Sequence, residues 1–252
     1  MTAVAMRLDT YDGVPMDELR AQTGATLLIA VQRCTSTMDI AHELAGSGAP
    51  HGTVVVAEQQ DAGRGRTGKT WTSPAGSGVW ASVLLRPPLA PQGGVLSLRT
   101  GLALAERLDA FASSAVQLKW PNDLYIGGGK LAGILTEARW RGDQLEWIVV
   151  GVGVNVRAPA LEVPAASLTA TATCAGVLAL TVQAALSAGA AQGDLTDEEL
   201  RRFASRDMAS GRAIVAPLVG TVAGITPTGG LQVRTGFGDA VAVAGSLEFR
   251  TL

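Results

Sequence analysis

A chain of 252 residues with 47% hydrophobic and 17% charged residues holds enough apolar material for a buried core and too little charge to stay unfolded, which excludes a disordered or fibrous protein. A formal net charge of −2 and a sequence pI near 5.7 exclude any general attraction to nucleic acid or an anionic membrane, so basic chemistry must be local. Cys34 and Cys174 stand alone, which excludes a disulfide framework and points to small buried thiols in a reducing compartment.

The first 24 residues read as one short helix, with Pro15 near its start and Gly24 after it, leading into a strand over Thr26 to Val31. Arg7, Asp9, Asp12, Asp17, Glu18 and Arg20 interrupt this segment, so no signal-peptide core is expected. It also leaves no room for a DNA-reading domain. Ser36-Thr37-Met38-Asp39 can cap a helix ending at Gly46 or Gly48, and Val54 to Ala57 forms a buried strand. Residues 60 to 78 read as a long Gly- and cation-rich loop, of a kind that is usually functional or mobile.

A strand over Val79 to Leu85, a helix over Leu96 to Phe111 and a strand over Val116 to Trp120 follow, then a turn at Pro121-Asn122-Asp123. Leu131 to Trp140 and Trp147 to Val156 alternate as two strands joined around Gly142. Two helices are expected at Ala175 to Ala190 and Thr196 to Ser205, the second opening with Thr196 capped toward Glu199. From Gly211 onward, short Val-rich strands separated by Gly and Pro turns suggest a small barrel-like β domain, placing a boundary near Ser210. The apolar stretches Ile148 to Val156 and Ala175 to Ala191 are too short or too interrupted to span a bilayer, which needs about 20 residues. The cytoplasm is the expected compartment.

Gly63-Arg64-Gly65-Arg66-Thr67-Gly68-Lys69-Thr70 matches the phosphate-binding pattern G-x-x-x-x-G-K-[ST]. A P-loop needs a helix to begin at the Lys-Thr pair, whereas Trp71, Thr72, Ser73 and Pro74 follow, so that reading fails. The interleaved cations and glycines still make either an anion clamp or a solvated charged turn. Lys119 to Asp123, KWPND, presents Asn122 and Asp123 beyond a strand, as ligand contacts or plain turn residues. Lys130 opens an otherwise apolar strand flanked by glycines, so it is either paired with an anion or exposed at a hairpin mouth. Gly151 and Gly153 in GVGVN lack a third glycine and a following helix, and read as glycines admitting close packing. His42 and His51 read as surface or cap residues.

In this order, S-T-x-D, QxxGRGRxGKxW, KWPND, GKLAGIL and GVGVN resemble the catalytic domain of biotin protein ligases. That resemblance implies an α/β (α+β) fold, a mixed sheet with flanking helices like that of class II aminoacyl-tRNA synthetases, over residues 1–209. It also implies a small SH3-like β-barrel over residues 210–252. The implied activity forms biotinyl-5'-AMP from biotin and ATP, with Mg²⁺ accompanying the nucleotide, and then transfers biotin to a lysine of a biotin carboxyl carrier protein.

By the same resemblance Ser36, Thr37 and Gln60 hold the ureido head of biotin, while Gly63, Arg64 and Gly133 line its pocket and carboxylate path. Trp71 and Asn122 contact the adenine, with Asn155 assisting. Lys130 and Arg66 sit where carboxylate meets α-phosphate, Arg64 joins them as a third catalytic cation, and Asp123 orients or deprotonates the acceptor lysine. No resident metal is implied.

Met38 stands where the family commonly has Asn, and Lys69 replaces a third arginine, keeping charge but losing the planar fork. A lipoate ligase of the same fold, a biotin-responsive repressor and a non-catalytic biotin-sequestering protein are the rival readings. The GRGRxGKxW loop speaks against the first, the short stretch before residue 25 against the second, and the clustered cations against the third. Self-association is left open.

Overall fold

The computed structural model describes residues 6–87, 94–157 and 164–250. A small hairpin of β1 (Thr10–Tyr11) and β2 (Val14–Pro15) precedes α1 (Met16–Thr23). Sequence reading missed this hairpin because two-residue strands carry no periodicity. Its turn, Asp12-Gly13, has both residues at positive φ, the conformation Asp-Gly pairs favour. Pro15 opens α1 and Gly24 closes it in the left-handed region at φ 73°.

β3 (Leu27–Cys34) leads to α2 (Thr37–Gly46), with Ser36 as N-cap accepting from the Met38 amide at 3.3 Å. β4 (Thr53–Arg64) runs alongside β3 in parallel and continues past Ala57 into the segment expected to be a loop. That expectation is corrected. Residues 60–73 form a hairpin in which β5 (Thr70–Ser73) pairs back onto the end of β4, with a bulge between Gln60 and Gly63 and a 3-10 turn at Arg66–Gly68. Its tip takes Thr67 and Gly68 at positive φ, which spares the chain a longer connection.

β6 (Gly78–Leu85), α3 (Val95–Leu108), β7 (Gln117–Lys119), β8 (Asp123–Ile126), β9 (Gly129–Arg141), β10 (Gln144–Asn155), α4 (Cys174–Ala190) and α5 (Asp197–Ala204) complete the larger part. The main sheet runs β3-β4-β6-β10-β9-β8-β7, antiparallel after the first pair. α3 and α4 pack against one face and α2 against the other, so Val54, Val55 and Val56 are all fully buried. A continuous apolar run is what a strand covered on both faces requires. Each such valine contributes about 1.5–3 kcal/mol. Thr196 makes the expected capping box with Glu199, and Arg99, 5% exposed, binds Glu199 and the carbonyls of Gly193 and Asp194. This fastens α5 to α3.

Beyond Ala209, β11 (Ala213–Ala216), β12 (Gly220–Ile225), β13 (Leu231–Thr235), β14 (Gly238–Ala242) and β15 (Glu248–Phe249) form an antiparallel sheet ordered β14-β13-β12-β11-β15. Its inward residues Ile214, Val222, Leu231 and Val233 share one apolar cluster with α3 and the main sheet. Trp120, 2% exposed, donates its indole N–H to the Gly229 carbonyl at 2.9 Å. No helix among the described residues is long and apolar enough to cross a membrane.

Candidate active site

On the α2 side of the sheet, Gly151, Gly153 and Gly133 lie together: Gly153 pairs directly with Gly133, and Gly151 with Leu135. Missing side chains there leave a trough. A Cβ on Gly151 would come within 2.7 Å of Met38 Sδ, and one on Gly153 within 2.5 Å of the Trp71 indole. The glycines therefore admit close packing, as their spacing suggested. Met38 and Trp71 become the apolar walls of a cavity of about 170 Å³.

One end of the cavity is polar and uncharged. Gln60 Oε1 accepts from the Thr37 amide at 2.8 Å and the Thr37 hydroxyl at 3.2 Å, while Gln60 Nε2 donates to Ser73 Oγ at 2.9 Å. Thr37 Oγ1 also lies 2.8 Å from Ser82 Oγ. Ser36 and Thr37 are 2% exposed, placed by the start of α2, whose N-terminal amides add a positive partial charge. Ser73 and Ser82 were missed by sequence reading. The signal for Ser82 was present, since a lone hydroxyl in the apolar strand VWASVLL must find a partner once buried.

The other end is charged. Lys130 Nζ lies 2.7 Å from Asp123 Oδ1 and 5.1 Å from the centre of the Trp71 ring. The partner that a lysine in this strand requires is thus Asp123, delivered by β8 pairing with β9. That carboxylate oxygen is buried and receives no hydrogen bond of ordinary geometry among the described residues, so the contact is one of charge at close range. Arg66 reaches Asn122 Oδ1 at 3.4 Å. Burial lowers the Arg66 pKa, with Asp123 opposing the shift, and a guanidinium remains charged throughout. Burial likewise lowers Lys119, partly opposed by Asp123, and pushes the Tyr125 hydroxyl up to about 12 with help from Asp123.

Ser36, Thr37, Gln60, Arg64, Arg66 and Trp71 line this one cavity, together with Asn122, Asp123, Lys130 and Gly133. Gly63 and Asn155 do not line it. Gly63 sits opposite Trp71 in the hairpin, where a Cβ would lie 2.4 Å from the Trp71 carbonyl oxygen. Asn155 is buried and donates to the Lys130 carbonyl at 3.1 Å, bracing the strand that carries the lysine. Asn122 lines the cavity but also donates to the Ile134 carbonyl at 2.7 Å. Lys69-Thr70 leads into β5, so no helix N-terminus stands there.

Arg64 occupies the rim, with its guanidinium 3.0 Å from Asp39 and 3.5 Å from Glu137. His42, expected on the surface or at a cap, is instead held between Glu137 at 3.0 Å and the Trp147 indole at 2.9 Å. Its position on α2 faces the sheet ends of β9 and β10, a long-range relation that sequence spacing does not show. His51 Nδ1 accepts from the Arg86 amide. Both cysteines are buried and free; burial, then Asp61 and Asp39, push Cys34 up to about 11, which suits an inert thiol.

Residues 28–155 match the family model described as the biotin/lipoate A/B protein ligase family. The bifunctional ligase/repressor BirA of Bacillus spizizenii is 39% identical over 150 residues, 58% of this chain and 45% of that protein. The biotin--[acetyl-CoA-carboxylase] ligase of Mycobacterium tuberculosis is 40% identical over 141 residues, 54% of this chain and 47% of that protein. The matched region spans less than half of either relative. The biotin protein ligase of Aquifex aeolicus, solved with biotin and ATP, superposes with a TM-score of 0.74 at 25% identity, covering 89% of this chain and 99% of that one. A family match over residues 28–155, which includes both ends of the cavity and its glycine floor, establishes that the chain belongs to the biotin/lipoate A/B protein ligase family.

Proposed function

We propose that this chain joins biotin to ATP as biotinyl-5'-AMP and then transfers biotin to a lysine of a biotin carboxyl carrier domain. The observation carrying this reading is the division of one cavity into a neutral hydrogen-bonding end at Ser36, Thr37 and Gln60, oriented from behind by Ser73 and Ser82, and a cationic end at Lys130 and Arg66, with glycine floor between. A ureido head is neutral and donates and accepts hydrogen bonds; a carboxylate tail needs positive charge. The cavity offers each at opposite ends.

In the first step a carboxylate oxygen attacks the α-phosphorus, a P–O bond forms, and pyrophosphate leaves with its electron pair. Two anions meet, so cations must offset their repulsion. We assign this to Lys130 and Arg66, with Arg64, already shared between Asp39 and Glu137, contributing from the rim. We assign Trp71 and Asn122 to the adenine. In the second step the neutral lysine amine attacks the acyl carbon and AMP leaves. Asp123, beside Lys130, orients that amine or takes its proton, needed because a free lysine has a pKa of about 10.4.

Among the described residues no group of three or more His, Cys, Asp or Glu could hold a metal. We assign Mg²⁺ to the nucleotide phosphates, its usual setting, where the protein need supply at most one or two carboxylates. The same reading puts the protein in the cytoplasm and divides it into a catalytic part at 1–209 and a smaller β part at 210–252 packed on it. Incubation with ATP, Mg²⁺ and either biotin or lipoate decides it: biotin should yield biotinyl-AMP and pyrophosphate. Product from lipoate alone, or from neither, refutes the assignment.

A further inference from the structure

We propose that Glu137, Asp39 and His42 form a latch that holds the β4–β5 hairpin over the cavity through Arg64. The inference rests on the ligase reading for its kinetic consequence and on geometry alone for the latch itself. Beyond Ala62, whose amide donates to the Thr35 carbonyl at 2.9 Å, the hairpin leaves the main sheet, since β5 pairs only with β4. Among the described residues, the ion pairs that tie residues 62–73 to the body of the protein both belong to Arg64. One goes to Asp39 in the first turn of α2 and the other to Glu137 on β9.

Glu137 is itself fixed. The oxygen that meets Arg64 also lies 3.0 Å from His42 Nε2, and His42 Nδ1 accepts from the Trp147 indole N–H at 2.9 Å. Because Nδ1 accepts, the ring proton sits on Nε2 and is donated to Glu137. Arg86 lies over the Trp147 ring at 5.6 Å and binds the carbonyls of Ala45, Ala49 and Glu146. The acceptor for Arg64 is therefore built into a frame of α2, β9 and β10, while Arg64 itself rides on the hairpin.

Arg64, Asp39 and Glu137 are each a third or more exposed, at 38%, 41% and 35%. Exposed pairs are individually weak and screened by salt. A latch of this strength opens readily to admit substrates yet biases the hairpin closed, which matters for a mixed anhydride that water would hydrolyse. Glu137, Asp39 and His42 are positioning residues, acting through Arg64.

The test uses the full chain and the variants Glu137→Gln and Asp39→Asn. Glu137→Gln keeps side-chain volume and the acceptor for His42, so a merely structural role survives it. Amide hydrogen exchange over residues 62–72, without substrates, should quicken about two- to fivefold in both variants while Tm stays within about 2 °C. Raising salt should quicken exchange most in the wild type and less in each variant, which keeps one of the two pairs. In assays with ATP and biotin, the KM for biotin should rise about two- to fivefold with kcat for adenylation nearly unchanged, and more AMP should be released without transfer. Exchange equal to wild type in both variants overturns the latch. A wild type that makes no biotinyl-AMP sinks the ligase reading, and hydrogen exchange still decides the latch.

Discussion

Replacing Gly153 with alanine tests whether the glycine floor seats Trp71 for the reaction. The new methyl carbon would lie 2.5 Å from Cε2 and Nε1 of the indole. Apolar heavy atoms rest about 3.5–4.0 Å apart, so roughly 1 Å of separation must be found. The backbone cannot supply it, because β10 is hydrogen-bonded on both sides, to β6 and β9. Trp71 must lift or swing out instead. If it stayed, overpacking would cost about 1–3 kcal/mol; if it swings out, stability falls less and the cavity loses a wall. A positioning error of about 1 Å costs on the order of a hundredfold in rate, so biotin-dependent exchange of pyrophosphate into ATP should drop by roughly that factor. Gly151→Ala is the control: its methyl would come 2.7 Å from Met38 Sδ, but an unbranched thioether can turn aside, so the loss should be several-fold smaller. Exchange by Gly153→Ala within twofold of wild type would refute the idea that Trp71 must rest on that floor.

Lys130→Ala should abolish adenylate formation, since it removes the ammonium paired with Asp123, and normal pyrophosphate exchange would contradict its assignment. Asp123→Asn should slow transfer to the acceptor lysine by about 10²–10⁴-fold; transfer and adenylation both at wild-type rates would show that the carboxylate has no such role. Arg99→Ala should destabilise the fold by about 3 kcal/mol in urea titration, because it leaves Glu199 largely buried without its cation. Acid should weaken the same contact. Burial alone would raise Glu199, but hydrogen bonds from Arg99 and Thr196 outweigh it and hold the carboxyl below its usual range. Stability from this carboxylate is thus present above its unfolded pKa and lost as pH falls through the folded one. Tm should drop below about pH 4, and by less in Arg99→Ala; an equal drop in both proteins would remove Glu199 as a cause.

Helices and long strands were legible because their signals are local. Ser36 caps α2, the Thr196–Glu199 box opens α5, and the alternation of Leu131 to Trp140 and Trp147 to Val156 marks β9 and β10. The hairpin at residues 60–73 was not legible, since its glycines and cations are those of a loop and its pairing depends on the bulge between Gln60 and Gly63. β8 was not read at all: its first residue, Asp123, was placed in the turn after Pro121, and the three residues that follow are too few to show alternation. Lys130, Arg66 and Gln60 could be named from the chain alone. Their setting could not: Ser82, Glu137 and His42 reach the site across 45, 73 and 95 residues of sequence, distances over which no spacing rule operates.

Trp120 sits in the same short segment as Asn122 and Asp123, yet its indole ends at the carbonyl of Gly229, 109 residues later. Gly229 adopts φ 83°, and even a Cβ there would crowd Val95 and Leu98 of α3 at 3.2 Å. The last strands are therefore not an interchangeable module clipped onto an autonomous enzyme. Exchanging them with those of another family member would have to carry over the partner of Trp120 and the glycine that receives it. A protein cut at Ser210 would present a bare indole and an open face of α3 to water, and chaperones or proteases, not substrates, would be its first binding partners.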